Sequence, residues 1–159
     1  MKGSDDNSVT SDLVVCTSGL DNYIPTVRRV NEADLKARFT LQHLTPINGE
    51  PTFSSMQRVE GELASNLLTL KVSFGGGDSG CLGVVFNNAK FHAETGETWI
   101  VPQSQGAFPN ISSQATEQEK KIAISEYMIE EYNIKVVKAM EELLKNQLIA
   151  AVDEGYILE

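Results

Sequence analysis

The sequence predicts a mainly α-helical single domain with a long C-terminal amphipathic helix and short extended connectors. Three observations predict it. From Thr116 to about Val152 the chain reads as nearly uninterrupted helix. Met56, Val59, Leu63, Leu67 and Leu70 repeat at three and four residues, which places them on one helical face. The chain of 159 residues has the length of one domain, and such a domain buries roughly 70% of its unfolded surface.

Residues 1–30 form an acidic and polar N-terminal arm, and residues 31–159 form the helical domain. Within the arm, Leu13-Val14-Val15 and Tyr23-Ile24 are apolar enough to dock on a surface or make a short strand. Asn31 caps a helix running through Asp34 to His43, with Leu35, Phe39 and Leu41 inward. Pro46 and the turn Asn48-Gly49 end it. In the next helix, Ser54 followed by Gln57 has capping-box form. Gly61 lies inside that helix and costs up to ~1 kcal/mol relative to Ala.

The run Gly75-Gly76-Gly77-Asp78-Ser79-Gly80 stops the second helix. Leu82-Gly83-Val84-Val85-Phe86 is too short to assign as strand or buried helix. Asn87 or Asn88 caps a short turn that holds Phe91. From Thr98 to Pro109 the chain is an irregular connector, punctuated by Pro102, Gly106 and Pro109.

The last helix opens with Thr116-Glu117-Gln118-Glu119, a capping box with acidic residues at the positive end of the helix dipole. Ile122, Ile129, Val136, Met140, Leu143, Leu144, Leu148 and Val152 keep near-heptad spacing. Glu131–Lys135 and Glu141–Lys145 have favourable i,i+4 spacing. Unbroken, this helix reaches ~55 Å, against ~30 Å for a small domain. It therefore either kinks near Asn133 or projects to meet another copy, and Gly155 marks its end. Val136, Met140, Leu144 and Leu148, with Trp99, are the candidate interface residues.

Charge and motifs exclude several functions. The 13 basic and 22 acidic residues leave a net charge of −9, without the Lys/Arg surface that phosphate binding requires. Arg28-Arg29 and Lys120-Lys121 are the basic pairs and belong on solvated faces. No apolar run is long enough to span a bilayer. The N-terminus lacks the apolar core of a secretory signal, so the chain reads as intracellular and cytoplasmic. In that compartment the sequon Asn110-Ile111-Ser112 goes unused.

Gly77-Asp78-Ser79-Gly80 matches the nucleophile tetrapeptide of chymotrypsin-like proteases, with His43 and His92 as the available bases. That fold is a pair of β-barrels, whereas this sequence is helix-rich, so a serine hydrolase is disfavoured. The glycine run is followed by no Gly-Lys-Ser/Thr, so it is not a phosphate loop. His43 and His92 lack metal-ligand spacing. Cys16 and Cys81 are two thiols or one disulfide. No cofactor is implied. What remains is association, through self-assembly or as a helical adaptor binding another protein by the 116–152 helix.

The order of segments carries a resemblance. Ile47-Asn48-Gly49-Glu50-Pro51-Thr52-Phe53 precedes a helix, followed by Gly75–Gly77 and Gly80-Cys81-Leu82-Gly83-Val84-Val85. Phe91, Trp99-Ile100-Val101-Pro102, Gly106 and Pro109 come next. The series ends with Glu141 to Ile157, including Leu144-Lys145-Asn146-Gln147-Leu148-Ile149-Ala150-Ala151-Val152-Asp153. From Pro46 to Leu158 this resembles the N-terminal Gag region of copia-type long-terminal-repeat retrotransposons from algal and other protist genomes. Cys81 departs from the histidine usual in the Gly-His-Leu-Gly segment, and Gly155 stands where an acidic residue is common.

The resemblance implies a structural role, namely self-assembly into a capsid-like particle around element RNA. It also implies that RNA is bound by basic segments outside this one. The chain is then a Gag fragment or a Gag-derived scaffold.

Overall fold

The computed structural model describes residues 27–69 and 81–157, and the fold across them is helical. The elements are α1 (Glu32–Ala37), α2 (Phe53–Leu68), a 3-10 turn at Leu82–Val84, α3 (Asn88–Thr95), α4 (Glu117–Ala151) and a 3-10 turn at Glu154–Tyr156. No strand is formed among the described residues; the sole bridge pairs Ile47 with Val152. The apolar segments near Leu13 and Tyr23, together with Cys16, Leu70 and the glycine run, lie outside the described residues.

Each helix begins where a side chain satisfies its first free amides. The Asn31 side chain accepts from the amides of Ala33 (3.1 Å) and Asp34 (3.4 Å). In α2 the capping box is Thr52 with Ser55, three residues apart, in place of the expected Ser54 and Gln57. Asn87 caps α3, which ends on Gly96 in the left-handed conformation at φ 75°. The expected box of Thr116 and Glu119 opens α4. Hydrogen bonds from the Thr116 amide and hydroxyl hold the Glu119 carboxyl below its ordinary range.

The C-terminal half of α4 is the spine of the core. Val136, Met140, Leu144 and Ala151 meet Val59, Leu63, Ala64 and Leu67 of α2, Phe39, Leu44 and Ile47 of the first loop, Phe91 of α3, and Cys81, Leu82 and Trp99. Of the apolar stripe read in α2, Val59, Leu63 and Leu67 are buried, whereas Met56 is exposed. The Ile47 amide donates to the Ala151 carbonyl at 2.7 Å and fastens the loop to the end of α4.

The first helix stops at Ala37, well before the expected His43. A buried polar clamp gives the reason. Asn66 is fully buried, and its Oδ1 accepts the Leu41 amide at 2.7 Å. Its Nδ2 donates to the Leu41 carbonyl and to Gln147 Oε1, both at 3.0 Å. Gln147 Nε2 donates in turn to the carbonyls of Leu41 (2.9 Å) and Gln42 (3.1 Å). The main chain at Leu41 and Gln42 is thus held by side chains of α2 and α4 instead of by helix bonds.

Each buried group left unsatisfied costs about 1–3 kcal/mol. Asn66→Ala strands the Leu41 amide and Gln147 Oε1, so it is expected to destabilise the domain by several times the cost of an exposed substitution. In a double-mutant cycle, Asn66→Ala and Gln147→Ala should couple, because the second change removes a partner that the first has already orphaned. Additivity in denaturant melts would mean that the clamp does not act as a unit.

A second clamp lies nearer the surface. Glu62 accepts the Thr45 amide (2.8 Å) and hydroxyl (2.6 Å), with the Arg58 guanidinium 3.7 Å away. Burial pushes the Glu62 carboxyl up, but the two bonds from Thr45 and the charge of Arg58 outweigh it and hold the group below its ordinary 4.5. A carboxyl depressed on folding stabilises above its unfolded value and loses that contribution as pH falls through the folded one. Stability should therefore decline below about pH 4.5. Thr45→Val removes the hydroxyl donor and should flatten the decline in melts taken across acidic pH; an unchanged slope would exclude the Thr45 hydroxyl bond as its source.

The helix α4 is continuous for 35 residues, with no break at Asn133. At ~1.5 Å per residue it spans roughly 53 Å. The two i,i+4 ion pairs expected on it are not formed; Lys120–Glu117 (3.1 Å) and Lys145–Glu142 (3.9 Å) pair at i,i+3 instead. Glu131 is engaged elsewhere, accepting from Ser104.

Candidate functional site

The five candidate interface residues are placed by the structure in or against the domain's own core. Met140 is fully buried, Val136 and Leu144 are 4% exposed, Trp99 is 8% exposed, and Leu148 packs partly buried against the same cluster. The face that the heptad reading offered to a second chain is occupied here by α1, the first loop and α2. Trp99 serves as a core anchor: its ring meets Phe91 edge-on at 5.7 Å and lies directly on the backbone of Gly83.

Among the described residues the chemical candidates are not assembled into a site. Ser79 lies outside the described residues. His43 and His92 are exposed, and His92 Nδ1 is 3.1 Å from the Glu97 carbonyl oxygen. Burial pushes the Cys81 thiol up to about 12, so it stays protonated and unreactive at neutral pH. Among the described residues no group of three or more His, Cys, Asp or Glu side chains is arranged to hold a metal ion. His43 and Lys36 line a cleft of 490 Å³ beside Gln42, Leu143 and Asn146, at the foot of the polar clamp.

The two halves of α4 bury different faces. At about 100° per residue, Val136, Met140, Leu144, Gln147 and Ala151 share one sector of the helix. Ile129 and Ile122 fall in that same sector, one and two heptads before Val136. They are 55% and 49% exposed. Ile124 and Met128, buried in the N-terminal half, are centred roughly 140° around the helix from this sector.

The connector explains part of this change. Ser104 Oγ donates to Glu131 at 2.7 Å, the Gln105 side chain donates to Glu130, and the Tyr127 hydroxyl donates to the Gly106 carbonyl at 3.3 Å. Phe108 meets Tyr127 edge-on at 5.2 Å. These contacts seat the connector on the Tyr127, Glu130 and Glu131 side and, among the described residues, leave Ile122 and Ile129 exposed. The core-facing sector of α4 therefore continues past the core as two exposed isoleucines one heptad apart, with Ser125 and Glu126 between them.

A groove of 670 Å³ adjoins this face. Trp99, Ile100, Val101, Pro102 and Gln103 line it, and it reaches α4 at Glu130 and Asn133, one turn beyond Ile129. Ile100 and Val101 are 67% and 52% exposed. Sequence reasoning placed Ile122 and Ile129 in the apolar stripe but did not separate them from its buried members, and it passed over Ile100 and Val101. Extra stripe length relative to one domain was the available signal.

No protein-family description, curated protein or solved structure matches this chain. Among the described residues no helix is long and apolar enough to cross a membrane.

Proposed function

We propose that this chain is a structural, self-associating protein of the Gag capsid-like kind, acting in the cytoplasm and without catalytic chemistry. The observation that supports it best is the apolar stripe of α4 continuing beyond the core as exposed Ile122 and Ile129. Apolar side chains in register with a core, but without core to cover them, gain free energy when a partner removes them from water. Ile100 and Val101, beside the groove that meets α4, enlarge the surface available to such a partner.

A second copy of the chain is the occupant that the resemblance to copia-type Gag favours, and repeated use of one patch in a closed or extended array follows from symmetry. The net charge of −9 agrees with nucleic acid being bound by segments other than this one.

The test is native mass across a concentration series, with negative-stain imaging of the same samples. Oligomers that grow with concentration, or rings and particles, are the expected result. A monomer at every concentration would refute self-association and would leave the adaptor reading, in which the same face takes an unrelated protein.

A further inference from the structure

We infer that Asn48 is a site of spontaneous covalent modification, where its side-chain amide is lost and the main chain is partly rerouted as isoaspartate. The sequence holds a single Asn-Gly step, Asn48-Gly49. Both residues are exposed, in the loop between the buried anchor Ile47 and the Thr52 cap of α2. Gly49 is left-handed at φ 75°, and nothing lies within 4 Å of the position its Cβ would take. None of the hydrogen bonds among the described residues uses the Gly49 amide. The step therefore sits in an exposed turn with no side chain crowding Gly49 and no hydrogen bond among the described residues engaging the nitrogen that would attack.

The reaction balances with water as the co-reactant. The Gly49 amide nitrogen loses its proton to base and attacks Asn48 Cγ. A new C–N bond closes a five-membered imide, and the Cγ–Nδ2 bond breaks to release ammonia, which carries away the returned proton. Water then opens the imide on either side. Cleavage at Cγ leaves aspartate with the normal main chain. Cleavage at the main-chain carbonyl leaves isoaspartate, with the chain running through the former side chain and one methylene longer.

The position gives the reaction structural consequences. The Ile47 amide is bonded to Ala151 at the end of α4, and Thr52 opens α2. A lengthened link between these two anchors loosens the attachment of the loop to α4, while either product adds a negative charge beside Glu50.

The experiment incubates the full chain, folded and without denaturant, in mildly alkaline buffer. It follows peptide masses over time and assays isoaspartate by enzymatic methylation. The Asn48 peptide is expected to convert first, with isoaspartate as well as aspartate formed there. Asn48→Gln, whose longer side chain closes a ring poorly and whose site is exposed, should fold normally and lose most of the isoaspartate signal. Conversion of another asparagine such as Asn110 ahead of Asn48, or an undiminished isoaspartate yield in Asn48→Gln, would overturn the assignment.

Discussion

Gly83→Ala is expected to destabilise the domain by roughly 3–5 kcal/mol, the range for losing a buried tryptophan's packing. A Cβ at residue 83 falls 2.0 Å from Trp99 Cδ2, 2.1 Å from Cγ and 2.6 Å from Cε2. These are overlaps with a flat ring, which has no flexible end to move aside. Trp99 is also confined by the edge contact with Phe91, itself fully buried. The indole must leave its place, or the 3-10 turn that carries Leu82 must lift off α2. Either outcome opens the core. Against a total stability of about 5–15 kcal/mol, the loss is large.

Melting followed by circular dichroism should show a drop of about 2–4 °C for each kcal/mol lost. Trp99 fluorescence should move toward that of an exposed indole. Trimming the ring relieves the overlap, so Gly83→Ala combined with Trp99→Leu should cost less than the two changes summed. An unchanged melting temperature with unchanged emission would show that the ring does not rest on Gly83.

This contact also marks the limit of what the sequence made legible. Helix starts were readable because a cap is a local event: Asn31, Asn87 and Thr116 each bond amides within the next three residues. The long helix and the inward face of α2 were readable because periodicity is local too. The ring of Trp99 on Gly83 joins residues separated by a helix and a turn, and no spacing rule connects them. The Asn66–Gln147 clamp joins positions 81 apart in sequence. Its trace was visible only as a polar residue within an apolar stripe in each helix, Asn66 between Leu63 and Leu67 and Gln147 between Leu144 and Ala151.

The stop of α1 at Ala37 followed from that clamp and was hidden with it. The candidate interface was half legible. One stripe runs along α4 from Ile122 to Ala151, but its division into core and open face depends on where α2 and the connector dock, and the stripe itself carries no mark of that boundary.

That boundary predicts opposite fates for the same chemical change at two positions of one stripe. Leu144→Asp should unfold the domain. Leu144 is 4% exposed and surrounded by the main core, so the substitution forfeits about 2–5 kcal/mol of packing before the carboxylate is considered. An ionised carboxylate without a partner in that core costs still more, or it takes up a proton and remains an unsatisfied polar group. The sum approaches the whole stability of a domain this size. Circular dichroism should show lost helix, or a melting transition that has collapsed toward room temperature.

Ile129→Asp lies two heptads and a residue earlier on the same sector, where the side chain is 55% exposed. Exposed substitutions stay within about 0.5 kcal/mol, so the fold and its melting temperature should be kept. A charge at the centre of an interface is disfavoured, so the concentration-dependent mass of the folded protein should fall to that of a monomer. Leu144→Asp that remains folded would show that the C-terminal half of α4 is not the spine of the core. Ile129→Asp that remains folded and still assembles would remove the open stripe as the assembly surface, and with it the main physical support for self-association through α4.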